Sequence, residues 1–165
     1  MINKHGFSLI ESMIAIGLVT IIAGLALWNM HLFSGVVVRA DIEKLYTVCV
    51  YLRQKAVSTQ QEQVLEFDFK NNTYRYDSGL HYLNSGVVYG FIEGVKGPPS
   101  APQKHIAKCS TFDRDRITFY PDGVIQSGTL YVTDSAGKTL YALTCGIGQI
   151  SFLRKYRYDN SWHIL

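Results

Sequence analysis

Residues 7–30 read FSLIESMIAIGLVTIIAGLALWNM and hold one ionisable side chain, Glu11, with no Lys or Arg. As a single helix the stretch would run roughly 36 Å at ~1.5 Å per residue, against a hydrocarbon thickness of ~30 Å. That is enough to span a membrane. A cleaved secretory signal shares the basic start and the apolar run, and Gly24-Leu25-Ala26 offers it a small-x-small cleavage site. Three features count against that alternative. The run exceeds the usual apolar core of about 7–15 residues. The apolar pattern continues past the triplet to Trp28 and Met30. A simple signal also has no use for a carboxylate at position 11.

Glu11 is the most informative residue of the chain. A charge at membrane depth costs ~2.5–3.5 kcal/mol on insertion scales, so such groups are usually paired. Between Lys4 and Arg39 the sequence offers no Lys or Arg. A cut between Gly6 and Phe7 would create a cationic amine at Phe7. A helix cannot readily fold its first amine onto its fifth side chain, so the natural partner of Glu11 is the amine of a neighbouring copy or relative. The pairing therefore predicts assembly.

Lys4-His5-Gly6 followed by Phe7-Ser8-Leu9-Ile10-Glu11 resembles the prepilin signal of type IV pilins and type II secretion pseudopilins. A short basic leader, Gly before the cut, Phe after it and Glu at the fifth mature position all match. The resemblance implies that a prepilin peptidase cuts after Gly6 and methylates the amine of Phe7. This chain would be the substrate of that enzyme. It departs from many members of the family at Trp28, where they carry Pro. Gly17 and Gly24, which fall near one helix face, are candidates for flexibility or close helix contact.

Beyond Met30 a polar face emerges. Ile42, Leu45, Val48, Cys49, Leu52 and Ala56 recur at helical spacing, with Asp41, Glu43, Lys44, Arg53 and Lys55 largely elsewhere. The pattern predicts one helix continuing to about Gln61, its apolar stripe laid on a small sheet. Strands are predicted at Val64–Phe69 and Thr73–Tyr76 around a turn at Lys70-Asn71-Asn72. Further strands are predicted at Val87–Ile92, Ile117–Tyr120, Gly128–Thr133, Thr139–Thr144 and Gln149–Arg154. Gly86, Gly90, Gly94, Gly97 and Pro98-Pro99-Ser100-Ala101-Pro102 mark a loop-rich insertion. The fold class is α+β. The order also resembles the minor-pilin and pseudopilin subgroup typed by GspH and FimT, through the helix end at Leu52–Ala56, the hairpin after it, Ile117–Gly123, the Gly128-Thr129 strand and Gly146-x-Gly148 before a basic strand.

The chain has 165 residues, 47% hydrophobic and 18% charged, which fits one domain and excludes a disordered polymer. A net charge of +3 is too mild to imply nucleic-acid binding by composition. No GxSxG, HExxH, GxxxxGK[ST] or GxGxxG motif occurs, and no cofactor and no enzymatic activity are expected. His105, Cys109 and Cys145 lack a fourth ligand and the usual tight pairing of a zinc site. Cys49 lies on the apolar stripe as a buried thiol. Cys109 and Cys145 are candidates for a disulfide closing a loop of about 36 residues, worth ~3–4 kcal/mol by chain entropy. Arg154, Lys155 and Arg157 alternate with aromatics up to His163. That composition suits phosphate contact with base stacking, or an edge strand guarded by cations.

The expected organisation is a leader at 1–6, a membrane or filament-core helix at 7–30, its amphipathic continuation at 31–61 and a periplasmic β-rich domain at 62–165. By the resemblance this is the type IV pilin fold. The chain would be a single-pass protein of a bacterial inner membrane that surrounds itself with lipid, then joins a pilus or pseudopilus. Its implied partners are other pilins or pseudopilins, the prepilin peptidase and an inner-membrane assembly platform. Its expected function is that of a minor pilin or minor pseudopilin that primes, caps or decorates a filament. The alternative is a membrane-anchored minor pilin that captures DNA during uptake.

Overall fold

The computed structural model describes residues 9–98, 102–146 and 151–165, and leaves the side chains of 25–34 outside the description. The chain divides into two compact units, Met1–Phe33 and Ser34–Leu165. Helix α1 covers Leu9–Thr59. It ends close to the expected Gln61, because Gln60 adopts the left-handed conformation (φ 54°) that terminates helices.

In the first unit α1 is apolar all round. Leu9, Ile10, Met13, Ile14, Ile16, Leu18, Val19, Ile21 and Ile22 are all exposed. Beyond Glu11 and Ser12, Thr20 interrupts the apolar surface, and its hydroxyl donates to the Gly17 carbonyl at 2.8 Å. Among the described residues no helix is long and apolar enough to cross a membrane. Phe7, Ser8 and the side chains of 25–30 in the expected 7–30 span lie outside the described residues.

In the second unit the predicted stripe is the core. Val38, Ile42, Leu45, Val48, Cys49, Leu52 and Ala56 are buried, and their three- and four-residue spacing puts them on one helix face. Two antiparallel sheets lean on that face. The first has the order β3-β2-β1-β5, from β1 (Gln63–Asp68), β2 (Thr73–Tyr76), β3 (Gly79–Tyr82) and β5 (Arg116–Phe119). The second has the order β4-β6-β7-β8-β9, from β4 (Val87–Tyr89), β6 (Gly128–Asp134), β7 (Leu140–Gly146), β8 (Phe152–Asp159) and β9 (Ser161–Ile164). Leu65, Phe67, Tyr74, Ile117 and Phe119 from the first sheet join Leu130, Val132, Tyr141, Leu143 and Cys145 from the second in one apolar cluster with the helix stripe. Each fully buried Leu or Ile there is worth roughly 1.5–3 kcal/mol.

The β1–β2 turn forms as its sequence suggests. The Asp68 carboxylate accepts from the N–H groups of Lys70 (3.0 Å) and Asn71 (3.1 Å), and Asn72 takes positive φ. Several strands depart from expectation, among them β4, which stops at Tyr89 short of the expected Ile92, and β9, which was not predicted. β3 forms where no strand was expected, because a two-residue turn at Asp77-Ser78, both at positive φ, sends the chain back along β2. The last predicted strand, Gln149–Arg154, begins only at Phe152 and runs to Asp159, where β9 folds back on it. Residues 147–150 lie outside the described residues, as do Pro99, Ser100 and Ala101 of the expected loop.

The Gly- and Pro-rich insertion has a structural task. Val95 and Ile106 pack with Tyr131, Leu140, Ala142 and Tyr156 in a second cluster, on the face of the β6–β8 sheet turned away from α1. A short ladder holds them: Ile106 N–H donates to the Val95 carbonyl at 3.2 Å and Gly97 N–H to the Lys104 carbonyl at 2.8 Å. With the helix on one face and this segment on the other, β6 and β7 are buried almost throughout.

Candidate functional site

The candidate assembly site is the start of α1. Gly6 and Phe7, the expected processing residues, lie outside the described residues. Glu11 stands in the first turn of the helix, with Leu9, Ile10, Met13 and Ile14 exposed around it. Exposed apolar side chains over a whole helix circumference mark a segment that is buried by something else, lipid or other helices. In such surroundings the carboxylate is the one fixed negative point that a cation can find.

The second unit distributes the other predicted residues. The candidate Cys109–Cys145 bond is absent, and all three cysteines are free thiols. Alternation along β7 turns Cys145 inward with Tyr141 and Leu143, into the cluster that holds Cys49, whereas Cys109 sits at the margin of that cluster. Burial pushes the Cys145 thiol up to about 12. It also raises the Cys49 thiol well above the ordinary value, with Cys145 adding to the effect. Both are inert as nucleophiles and behave as small apolar groups.

The cation run is split by the same alternation. Arg154 is exposed on the face turned away from α1, with its guanidinium 4.5 Å from the centroid of the Phe152 ring. Lys155 and Arg157 lie on the helix-facing side, paired in register with Leu143 and Tyr141. Lys155 is bound to the Glu43 carboxylate and lies 4.5 Å from the centroid of Tyr46. The three cations therefore do not form one patch. Among the described residues no three His, Cys, Asp or Glu side chains converge as a metal site would require.

Asp41 is a correction to the sequence reading, which placed it on the polar face. It is 1% exposed and accepts from the backbone N–H and the side-chain amide of Asn84, both at 2.9 Å. Burial raises its pKa, against the lowering effect of the Asn84 bonds and of Lys44. Its position one residue before Ile42, at the shoulder of the stripe, was the available signal.

Residues 1–27 match the family described as the prokaryotic N-terminal methylation motif. No curated relative matches the chain. Among solved structures, the minor pseudopilin EpsH from the type 2 secretion system of Vibrio cholerae matches at 14% identity, over 70% of this chain and 94% of that one, with a TM-score of 0.49. The methylation motif thus opens a long helix whose later part packs on antiparallel sheets.

Proposed function

We propose that the protein is a minor pilin or minor pseudopilin, a structural subunit made as a prepilin. Prepilin peptidase cuts between Gly6 and Phe7 and methylates the Phe7 amine. The helix rests in the inner membrane before assembly, with the β-rich domain in the periplasm, and lies in the filament core afterwards. There Glu11 pairs with the Phe7 amine of an adjacent subunit. The observation that carries the reading is the single carboxylate set among exposed apolar side chains within a methylation motif. Leaving that charge unpaired in apolar surroundings costs several kcal/mol, so the assembled state with a cation opposite it is strongly preferred. The positive-inside bias, through Lys4, supports the placement of the leader in the cytoplasm.

The test is Glu11→Gln in the full chain, expressed with its assembly machinery. Membrane insertion is expected to be unchanged and incorporation into sheared filaments to fall at least tenfold. Incorporation equal to the parent chain would refute the pairing.

A further inference from the structure

The two sheets have four edges, and two are closed by the chain itself. Along β5, Gln126 N–H donates to the Thr118 carbonyl and Tyr120 N–H to the Val124 carbonyl, so residues 124–126 cover it. Along β4, the outward N–H groups of Val87 and Tyr89 are taken by the Asn84 carbonyl and the Asn72 side chain. Among the described residues no backbone pairs with the outer edge of β3 or β9, although the Trp162 indole N–H donates to the Lys96 carbonyl beside β9. Leu83 N–H donates to the Asn72 carbonyl and Leu165 N–H to the Lys155 carbonyl. By antiparallel alternation this leaves the backbone groups of Leu80 and Tyr82 pointing outward from β3, and those of Trp162 and Ile164 pointing outward from β9. These residues carry the apolar surface of the edges: Leu80 is 47%, Tyr82 65% and Ile164 62% exposed. Neither stretch, 78–85 or 160–165, holds a Lys, Arg, Asp, Glu or Pro, the residues that ordinarily blunt an edge.

We infer that β3 of one copy adds to β9 of a second copy of this chain, antiparallel, with Leu80 opposite Ile164 and Tyr82 opposite Trp162. That register opposes apolar to apolar and aromatic to aromatic, and it brings no charge against a charge. It also puts both apolar pairs on one face. Leu80 and Tyr82 lie opposite to His81, which stacks on the core residue Tyr74. Trp162 and Ile164 share the face of Tyr156, turned away from α1. The α1 stripes of both copies thus fall on the same side of the joined sheet. A β3-to-β3 contact closes a two-fold pair and stops. The β3-to-β9 contact is heterologous and leaves one edge free at each end for a further subunit, which suits a subunit set within a filament. In that last respect the inference rests on the proposed function.

The experiment uses full-length protein in detergent micelles, with Cys109→Ser to leave only the two buried native thiols. Leu80→Cys and Ile164→Cys chains are purified separately, then oxidised alone and mixed. Both positions are exposed, and circular dichroism checks the fold. Disulfide-linked dimers are expected in the mixture at least tenfold above either chain alone. Dimers from Leu80→Cys alone at the same yield, or none in the mixture, would overturn the inference. Repeating the mixture with Glu11→Gln separates it from the helix pairing. The crosslink is expected to persist there, and a crosslink confined to chains with Glu11 would show that the edges themselves do not associate.

Discussion

The Nζ of Lys155, on β8, donates to the Glu43 carboxylate on α1 and lies 4.5 Å from the centroid of the Tyr46 ring. A cation that sequence alone offers to an outside phosphate is thus spent inside the fold, where it ties the second sheet to the helix. Its side chain is 14% exposed and that of Glu43 is 41% exposed, so solvent screens the pair only in part. A double-mutant cycle of Lys155→Ala and Glu43→Ala is expected to give a coupling of about 0.5–1 kcal/mol. Lys155→Ala alone is expected to lower Tm by about 2–4 °C, lost stem packing included. A coupling of zero in thermal melts would remove the bridge from the account.

Asp41 and Asp77 are expected to shift stability with pH in opposite senses. Burial raises the native pKa of Asp41, so its charged form burdens the fold above that pKa. As pH falls through it, the wild type gains stability relative to Asp41→Ala, levelling off below the unfolded carboxylate value of about 3.9. Asp77 is held low by the Lys55 ammonium and the Tyr51 hydroxyl. Its contribution is complete above the unfolded value and is lost as pH falls through the native one. Denaturant melts of each variant against wild type between pH 3 and 7 check the two signs.

Asp41→Ala also strands the N–H and side-chain amide of Asn84. The expected cost at neutral pH is about 1–3 kcal/mol. Amide exchange should speed up first around Asn84, since that bond anchors the chain between β3 and β4.

Gly128 opens β6 directly beneath the buried ring of Phe112, and a Cβ there would fall inside the ring's van der Waals radius. Gly128→Ala is expected to destabilise by about 1–3 kcal/mol through overpacking. Combining it with Phe112→Leu should recover part of that loss, which calorimetry can read.

Gly6→Val, in cells carrying the peptidase, is expected to leave the leader attached and Phe7 unmethylated. Intact-mass measurement of the membrane fraction distinguishes the two forms. Mature parent protein beginning at any residue other than Phe7 would contradict the proposed cut, and variant protein beginning at Phe7 would show that the cut does not need Gly6.

Much of this architecture could be read from residue patterns, and the failures have physical causes. The stripe from Ile42 to Ala56 was legible because the helix buries one face only. The Glu11 signal was legible because nothing else in residues 7–30 is ionisable. β3 was missed because its four residues, Gly79–Tyr82, sit on a sheet edge and owe their conformation to pairing with β2 rather than to their own pattern. The splitting of Arg154 from Lys155 was hidden for a related reason. A list of adjacent cations says nothing of faces until the strand is known, and a period of two sends neighbours to opposite sides. The inward turn of Cys145 follows from the same alternation.

Because both sheets rest on one helical stripe, that stripe acts as their common keel. Leu45 and Leu52 are fully buried in the cluster that the two sheets share. A tug transmitted along the last turns of α1 would reach both halves of the β domain together, so they should yield as one body and not in sequence.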